Sequence, residues 1–189
     1  MQTALLALLA SVFYATVRYN VFKGVPWADW STYTLNKALA LAAILLLTVS
    51  VIRKRRAESG SQARVLEMAA VFTALHVAVS LTLLSPAYYE TFFRNGKLTA
   101  AAGLSMTLGS VGAVAMVVIA RVSAHRSSDR GIRSLALLTF VIGLHAMLPG
   151  LAGWFAPATW PGMMPPITLI SFVLGLTAAA AALLPTRSK

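Results

Sequence analysis

The sequence predicts an all-α membrane protein built as a bundle of six transmembrane helices, and three observations support this fold class. Of its 189 residues, 58% are hydrophobic and 11% are charged, which is about half the charged share of soluble domains. Its mean hydropathy is +0.76. Six nearly uncharged stretches each supply the roughly 20 residues that a helix needs to cross the hydrocarbon core. A water-soluble globular fold is therefore excluded, and residues 1–189 are interpreted as a single integral-membrane domain.

The six predicted spans are separated by short polar or proline-rich connections. They cover residues 2–22, 33–52, 65–85, 98–120, 134–153 and 166–185. The first span lacks a small-residue cleavage site, so we interpret it as a retained helix and not as a signal peptide. The fourth span contains Gly109 and Gly112 among other small residues. We expect this small-residue surface to pack closely against another helix, including one from a partner chain.

The positive charge predicts the orientation of the spans. The net charge is +11, and in a membrane protein such a surplus reflects basic cytoplasmic loops more often than nucleic-acid binding. With a cytoplasmic N-terminus, eleven of the sixteen basic residues lie in the inner connections: Arg53, Lys54, Arg55, Arg56, Arg64, Arg121, Arg126, Arg130, Arg133, Arg187 and Lys189. We therefore expect both termini in the cytoplasm and the chain in a membrane such as the bacterial inner membrane.

Aromatic residues concentrate on the predicted outer face. Its connections hold Trp27, Trp30, Trp154 and Trp160, together with Tyr19, Tyr33, Tyr88 and Tyr89. This asymmetry predicts a packed outer cap, because an ordinary interfacial belt is shared between both faces. The chain has no cysteine, which excludes disulfides, iron–sulfur clusters and thiolate-ligated haem.

Two histidines lie within predicted spans, where ionisable residues are costly and therefore informative. His76 follows Arg64 by twelve residues, and His145 follows Arg133 by twelve residues. At about 1.5 Å per residue, both imidazoles lie roughly 18 Å above the inner boundary. Two imidazoles at one depth can ligate a b-type haem from opposite sides. The third histidine, His125, falls in a basic loop and is interpreted as solvated.

The neighbours of the two histidines are compatible with a flat cofactor. Phe72 lies one turn before His76, and Pro149, four residues after His145, should bend its helix. Small residues that leave room are expected on both helices: Ala69, Ala70, Ala74, Ala78, Gly143, Ala146 and Gly150. A zinc or di-iron site is disfavoured, because such sites use three or four nitrogen, sulfur or carboxylate ligands. A single membrane histidine is more often a helix–helix hydrogen-bonding group.

The sequence resembles the ferric reductase-like transmembrane family between about residues 36 and 180. The resemblance lies in His76 on span three, His145 on span five and the segment ATWPGMMPP before span six. It implies a six-helix core whose third and fifth helices carry the haem ligands. Two-haem members place a second histidine twelve to fourteen residues from the first, and those positions hold no histidine here. The resemblance therefore implies a single-haem arrangement, similar to that of the six-helix metalloreductases.

Two functions remain open on the sequence. The first is a membrane cytochrome b in which His76 and His145 bind one haem b, with Arg18 ranked first as a partner for the haem propionates. No Gly-rich dinucleotide fingerprint is present, so such an electron-transfer subunit needs partner proteins or a quinone. The second is a haem-free ferric reductase-like scaffold or assembly subunit of a larger membrane complex.

Overall fold

The protein is helical along nearly all of the chain that its computed structural model describes, residues 1–56, 62–123 and 129–183. Its long helices are α1 (Gln2–Thr16), α2 (Leu35–Arg55), α3 (Gln62–Thr82), α4 (Ala100–Ser123), α5 (Asp129–Trp154) and α6 (Ile167–Leu183). With their flanking turns, all six are long and apolar enough to cross a membrane. The prediction of an all-α bundle with six helices suited to span a membrane is therefore confirmed. His125, Arg126, Arg187 and Lys189, which entered the sequence argument, lie outside the described residues.

Helix α2 forms the centre of the bundle. In its most apolar window 67% of residues are buried inside the protein, against 22–33% in the other five spans. It packs against α1, α3, α5 and α6. Fully buried side chains such as Leu46 and Leu47 from α2, Leu66 from α3 and Leu135 from α5 form the core. Side chains near the start of α2 are therefore held by the whole bundle.

Two helices have ends that differ from the predicted spans, and nearby residues explain both differences. Helix α5 begins at Asp129, five residues before the predicted start. A carboxylate in the first turn is favourable at a helix N-terminus, and Asp129 also accepts from Arg55 at 3.4 Å. Helix α3 ends at Thr82, three residues before the predicted end, because Pro86 follows and the intervening residues form a turn.

A widened segment joins α1 to α2 at one end of the bundle. π-Helical turns span Val17–Phe22 and Trp30–Thr34. They are tied together by the Thr34 hydroxyl, which donates to Asn20 Oδ1 at 2.7 Å. Arg18, Tyr19 and Asn20 are all buried. Three consecutive buried residues do not fit the one-sided periodicity of a regular α-helix, so the π-helical turn changes which residues face inward.

The aromatic cap is packed in most of its parts. Trp154 Nε1 donates to Thr168 Oγ1 at 2.9 Å, and Trp160 Nε1 donates to the Gly153 carbonyl at 2.9 Å. A short antiparallel hairpin pairs β1 (Phe93–Arg94) with β2 (Lys97–Leu98) on the same face. Trp27 departs from the prediction, because 65% of its side chain is exposed.

The small-residue surface of α4 is occupied within the chain. A Cβ on Gly109 would lie 2.8 Å from His145 Cε1, and a Cβ on Gly112 would lie 3.0 Å from Ile142 Cγ1. Both glycines therefore face α5. The expectation that they contact a partner chain is wrong, since the absence of side chains at these positions lets α5 approach α4 closely.

Candidate functional site

The two membrane histidines line one cavity. Its volume is about 250 Å³, close to the lower end of the ~300–1,000 Å³ typical of small-molecule sites. Its wall comes from α2 to α6 and, on the outer side, from Tyr89 and Phe92 in the connection between α3 and α4. His76 enters from α3 and His145 from α5. The predicted approach of these two side chains is therefore present in the fold.

His76 is oriented by a side chain of the central helix. Its Nδ1 lies 2.7 Å from Asn36 Oδ1 and 3.2 Å from the Asn36 backbone carbonyl. The amide nitrogen of Asn36 donates to Ser80 Oγ at 3.0 Å. Because the amide uses its nitrogen there, its oxygen is the atom that faces His76, and Nδ1–H is the donor. The tautomer of His76 is therefore fixed with its proton on Nδ1.

His145 is oriented by the backbone of α4. Its Nδ1 lies 2.7 Å from the Ser105 carbonyl oxygen, an atom that can only accept, so Nδ1 carries the proton. The Ser105 hydroxyl donates in return to the His145 carbonyl at 3.0 Å. The imidazole also lies against Gly109, one turn further along α4. A side chain at position 109 would occupy the space of the ring.

In the neutral form, each imidazole therefore carries its proton on Nδ1 and a lone pair on Nε2. Neither Nε2 has a hydrogen-bond partner among the residues that the structure describes. Metal-bound histidines characteristically donate their other ring N–H to a carbonyl or carboxylate. Within the described ranges, no group of three or more His, Asp or Glu side chains could hold a metal ion. The two imidazoles are therefore the nitrogen donors that the described residues offer to a ligand in this cavity.

Asn36 and Ser105 were not identified from the sequence as parts of the site. Both are buried polar residues within apolar helices, and buried polar groups in a membrane need hydrogen-bond partners. The presence of a polar residue in an apolar span was therefore the sequence feature that could have identified Asn36 and Ser105. Nothing in the sequence pairs residue 36 with residue 76 or residue 105 with residue 145, because each pair joins different helices.

The expected lining was partly wrong. Ala74 and Ala78 are exposed on the outside of α3, and Phe72 packs into the buried core. Gly143 and Gly150 face α6, where their added Cβ atoms would meet Gly175 and Thr168. Ala146 and Pro149 do line the cavity. The remaining space beside the histidines comes from small residues on other helices: Ala40, Ala43, Gly109, Ser110 and Ala113.

The cation on the cavity wall is Lys37 and not Arg18. Lys37 lines the cavity, and its Nζ lies 4.5 Å from the centre of the Tyr33 ring. Arg18 is buried, and its guanidinium donates to the Met164 carbonyl. Arg18 therefore joins α1 to the segment before α6, while Tyr19, its neighbour in the chain, reaches the cavity.

Aromatic rings connect the cavity with the aromatic cap. Tyr33 and Tyr88 have ring centres 5.7 Å apart, Tyr88 and Tyr89 4.9 Å, and Tyr89 and Phe92 5.2 Å. Burial raises the pKa of the Tyr89 phenol, because it disfavours the charged phenolate. Its hydroxyl stays neutral and accepts from the Asn36 amide at 3.5 Å.

Comparison of the chain with protein-family models, curated proteins and solved structures finds no match. The chemistry of the site is therefore inferred from the side chains that line the cavity. Two imidazoles whose Nε2 atoms have no hydrogen-bond partner among the described residues line a mainly apolar cavity, and such nitrogens can act as metal ligands.

Proposed function

We propose that the protein is a membrane b-type cytochrome-like electron-transfer subunit that holds one haem b between His76 and His145. One observation carries the proposal: both side chains line one cavity, both Nδ1 atoms are held by oxygen acceptors, and neither Nε2 atom has a hydrogen-bond partner among the described residues. Each Nδ1 hydrogen bond also joins two helices, so the unused Nε2 atoms are the feature that favours a ligand-binding role. The resemblance to the ferric reductase-like family, with histidines on the third and fifth helices, supports the same assignment.

The residues of the chain would position and insulate the cofactor. His76 and His145 would ligate the haem iron, and Asn36 and the Ser105 carbonyl would hold their rings and increase the basicity of Nε2. Apolar side chains that line the cavity, such as Ile44, lower the local polarity and limit the access of water to the cavity. A bound haem would supply reversible one-electron chemistry.

The proposed partners follow from the composition of the sequence. It contains no Gly-rich dinucleotide fingerprint, so electrons must come from, and pass to, other proteins of a membrane complex or a quinone. We place both termini in the cytoplasm from the distribution of basic residues. A bacterial inner membrane fits this proposal.

The visible spectrum of the purified, dithionite-reduced protein tests the proposal. A Soret band with sharp alpha and beta bands is expected. His76→Ala and His145→Ala should each abolish or strongly shift these bands, whereas His125→Ala should leave them unchanged. For the variant His145→Gly, added imidazole should restore the six-coordinate spectrum, which separates loss of a ligand from misfolding.

The opposite result would support the second candidate. A folded protein without a Soret band, from cells supplied with haem, would mean that the protein is a haem-free scaffold or assembly subunit. Full haem occupancy in the His76→Ala/His145→Ala double variant would also refute the assignment of these ligands.

A further inference from the structure

Three cations surround one tyrosine ring at the end of the cavity that lies near the outer connections. The centre of the Tyr19 ring is 5.6 Å from Arg18 Cζ, 5.9 Å from Lys23 Nζ and 5.6 Å from Lys37 Nζ. Tyr19 and Lys37 both line the cavity. We call Arg18, Lys23 and Lys37 the cation cluster. Three positive charges so close together repel one another, and the repulsion is greatest where water is scarce.

The cation cluster has no anion within the described part of the chain. The ion pair found there joins Arg55 to Asp129, at the other end of the bundle. Arg18 is 6% exposed, and its Nε has no acceptor among the described residues. Aromatic faces, the Met164 carbonyl for Arg18 and the Tyr33 hydroxyl for Lys23, at 3.0 Å, give these cations partial compensation. Lys23 is also exposed, so Arg18 and Lys37 are the two cations held away from solvent. Unpaired ionisable groups inside a membrane are costly and generally serve a ligand or an ion pathway.

We propose that the cation cluster binds the carboxylates of the ligand held by His76 and His145, with Lys37 making the direct contact. This inference rests on the proposed function and adds the orientation of the ligand. The cavity is mainly apolar around the histidines and cationic beside Tyr19. A haem has the matching shape, since its macrocycle is apolar and its two propionates leave from one edge. Lys37 is therefore a binding residue, and Arg18 and Lys23 add charge behind it.

The test compares two ligands that differ in charge. Protein produced without haem is titrated in detergent with iron protoporphyrin IX and with its dimethyl ester, and binding is followed at the Soret band. Lys37→Met should weaken binding of the diacid at least about tenfold, the loss expected for one charge-assisted hydrogen bond. Binding of the ester should not change. Comparing variants with one another cancels the different partitioning of the two compounds into the micelle.

Two control variants identify what Lys37 contributes. Lys37→Arg keeps the charge and should keep the preference for the diacid. Lys97→Met removes an exposed charge on β2 and should bind both compounds like the unmodified protein. If Lys37→Met weakens both compounds equally, the lysine shapes the cavity and the proposal is wrong.

The outcomes separate this inference from the proposed function. A low-spin, six-coordinate spectrum with both compounds supports the two histidines as ligands whatever Lys37 does. If Lys37→Met weakens binding of the diacid and the ester equally, or does not affect the diacid, the proposed contact between Lys37 and a carboxylate is overturned. The cation cluster would then be assigned to binding lipid phosphates. Failure of both compounds to give that spectrum overturns the proposed function itself.

Discussion

Gly109→Ala tests the geometry of the site with a single methyl group. Its Cβ would lie 2.8 Å from His145 Cε1 and 2.9 Å from His145 Nδ1, below the 3.0 Å that real Cβ atoms almost never pass. The ring cannot retreat freely, because its Nδ1 is bonded to the Ser105 carbonyl at 2.7 Å. Overpacking of this kind costs about 1–3 kcal/mol. We therefore expect a lower melting temperature and a displaced His145.

The matched control is Gly103→Ala on the same helix. A Cβ on Gly103 meets nothing within 4 Å, so replacement should be neutral or stabilising by up to about 1 kcal/mol through helix propensity. Thermal unfolding of both variants in one detergent measures the difference in stability. Haem titration measures the effect on His145, for which a disturbed ligand orientation predicts about 10–100-fold weaker binding. Equal melting temperatures and equal haem affinities for the two variants would refute the reasoning.

Three further predictions follow from the site, the topology and the outer cap. Asn36→Leu removes the closer acceptor of His76 Nδ1 and leaves the backbone carbonyl at 3.2 Å, so it should weaken haem binding about 10–100-fold. Asn36→Asp should retain haem and lower its midpoint potential, measured by redox titration. Unchanged affinity in Asn36→Leu would contradict the role of the Asn36 side chain in holding His76. A cysteine at Thr159 should react with an impermeant thiol reagent on intact cells, and one at Ser59 only after permeabilisation; the reverse pattern would invert the topology. Burial raises the pKa of Tyr88, because it favours the neutral phenol. The neutral phenol therefore contributes fully to the free energy of unfolding below the ordinary tyrosine pKa, and this contribution is lost as pH rises through the raised pKa. Above pH ~10, the melting temperature of Tyr88→Phe should therefore fall less with rising pH than that of the unmodified protein. An identical fall in both proteins would show that ionisation of Tyr88 does not affect stability.

The histidines could be identified from the sequence because they are rare exceptions in apolar spans. Their equal distance from a basic residue also placed them at one depth, since helical rise is fixed. The structure brings both to a single cavity. The number of helices was predictable for the same reason, because hydropathy and span length depend on composition alone.

The inward face of each helix could not be predicted in the same way. In a membrane the exposed face is as apolar as the core, so periodicity does not distinguish Ala74, which is exposed, from Ala43, which lines the cavity. Gly109 was assigned to a partner contact for this reason. Arg18 was placed beside the ligand because it lies near a span end, but the π-helical turn around it changes which residues reach the cavity.

The two halves of the histidine site differ in how they respond to sequence change. His76 is held by the amide side chain of Asn36, which one codon change can replace by an acid, an alcohol or an apolar group. The Asn36 backbone carbonyl lies further from His76 Nδ1, at 3.2 Å. The shortest hydrogen bond of His145 is to the Ser105 main-chain carbonyl, which every residue at position 105 supplies. The closest acceptor on α4 is therefore independent of the side chain at position 105, whereas the closest acceptor on α2 depends on the side chain at position 36. Substitutions that change how the two imidazoles are held should therefore act at residue 36, whereas the backbone contact at residue 105 persists through substitution.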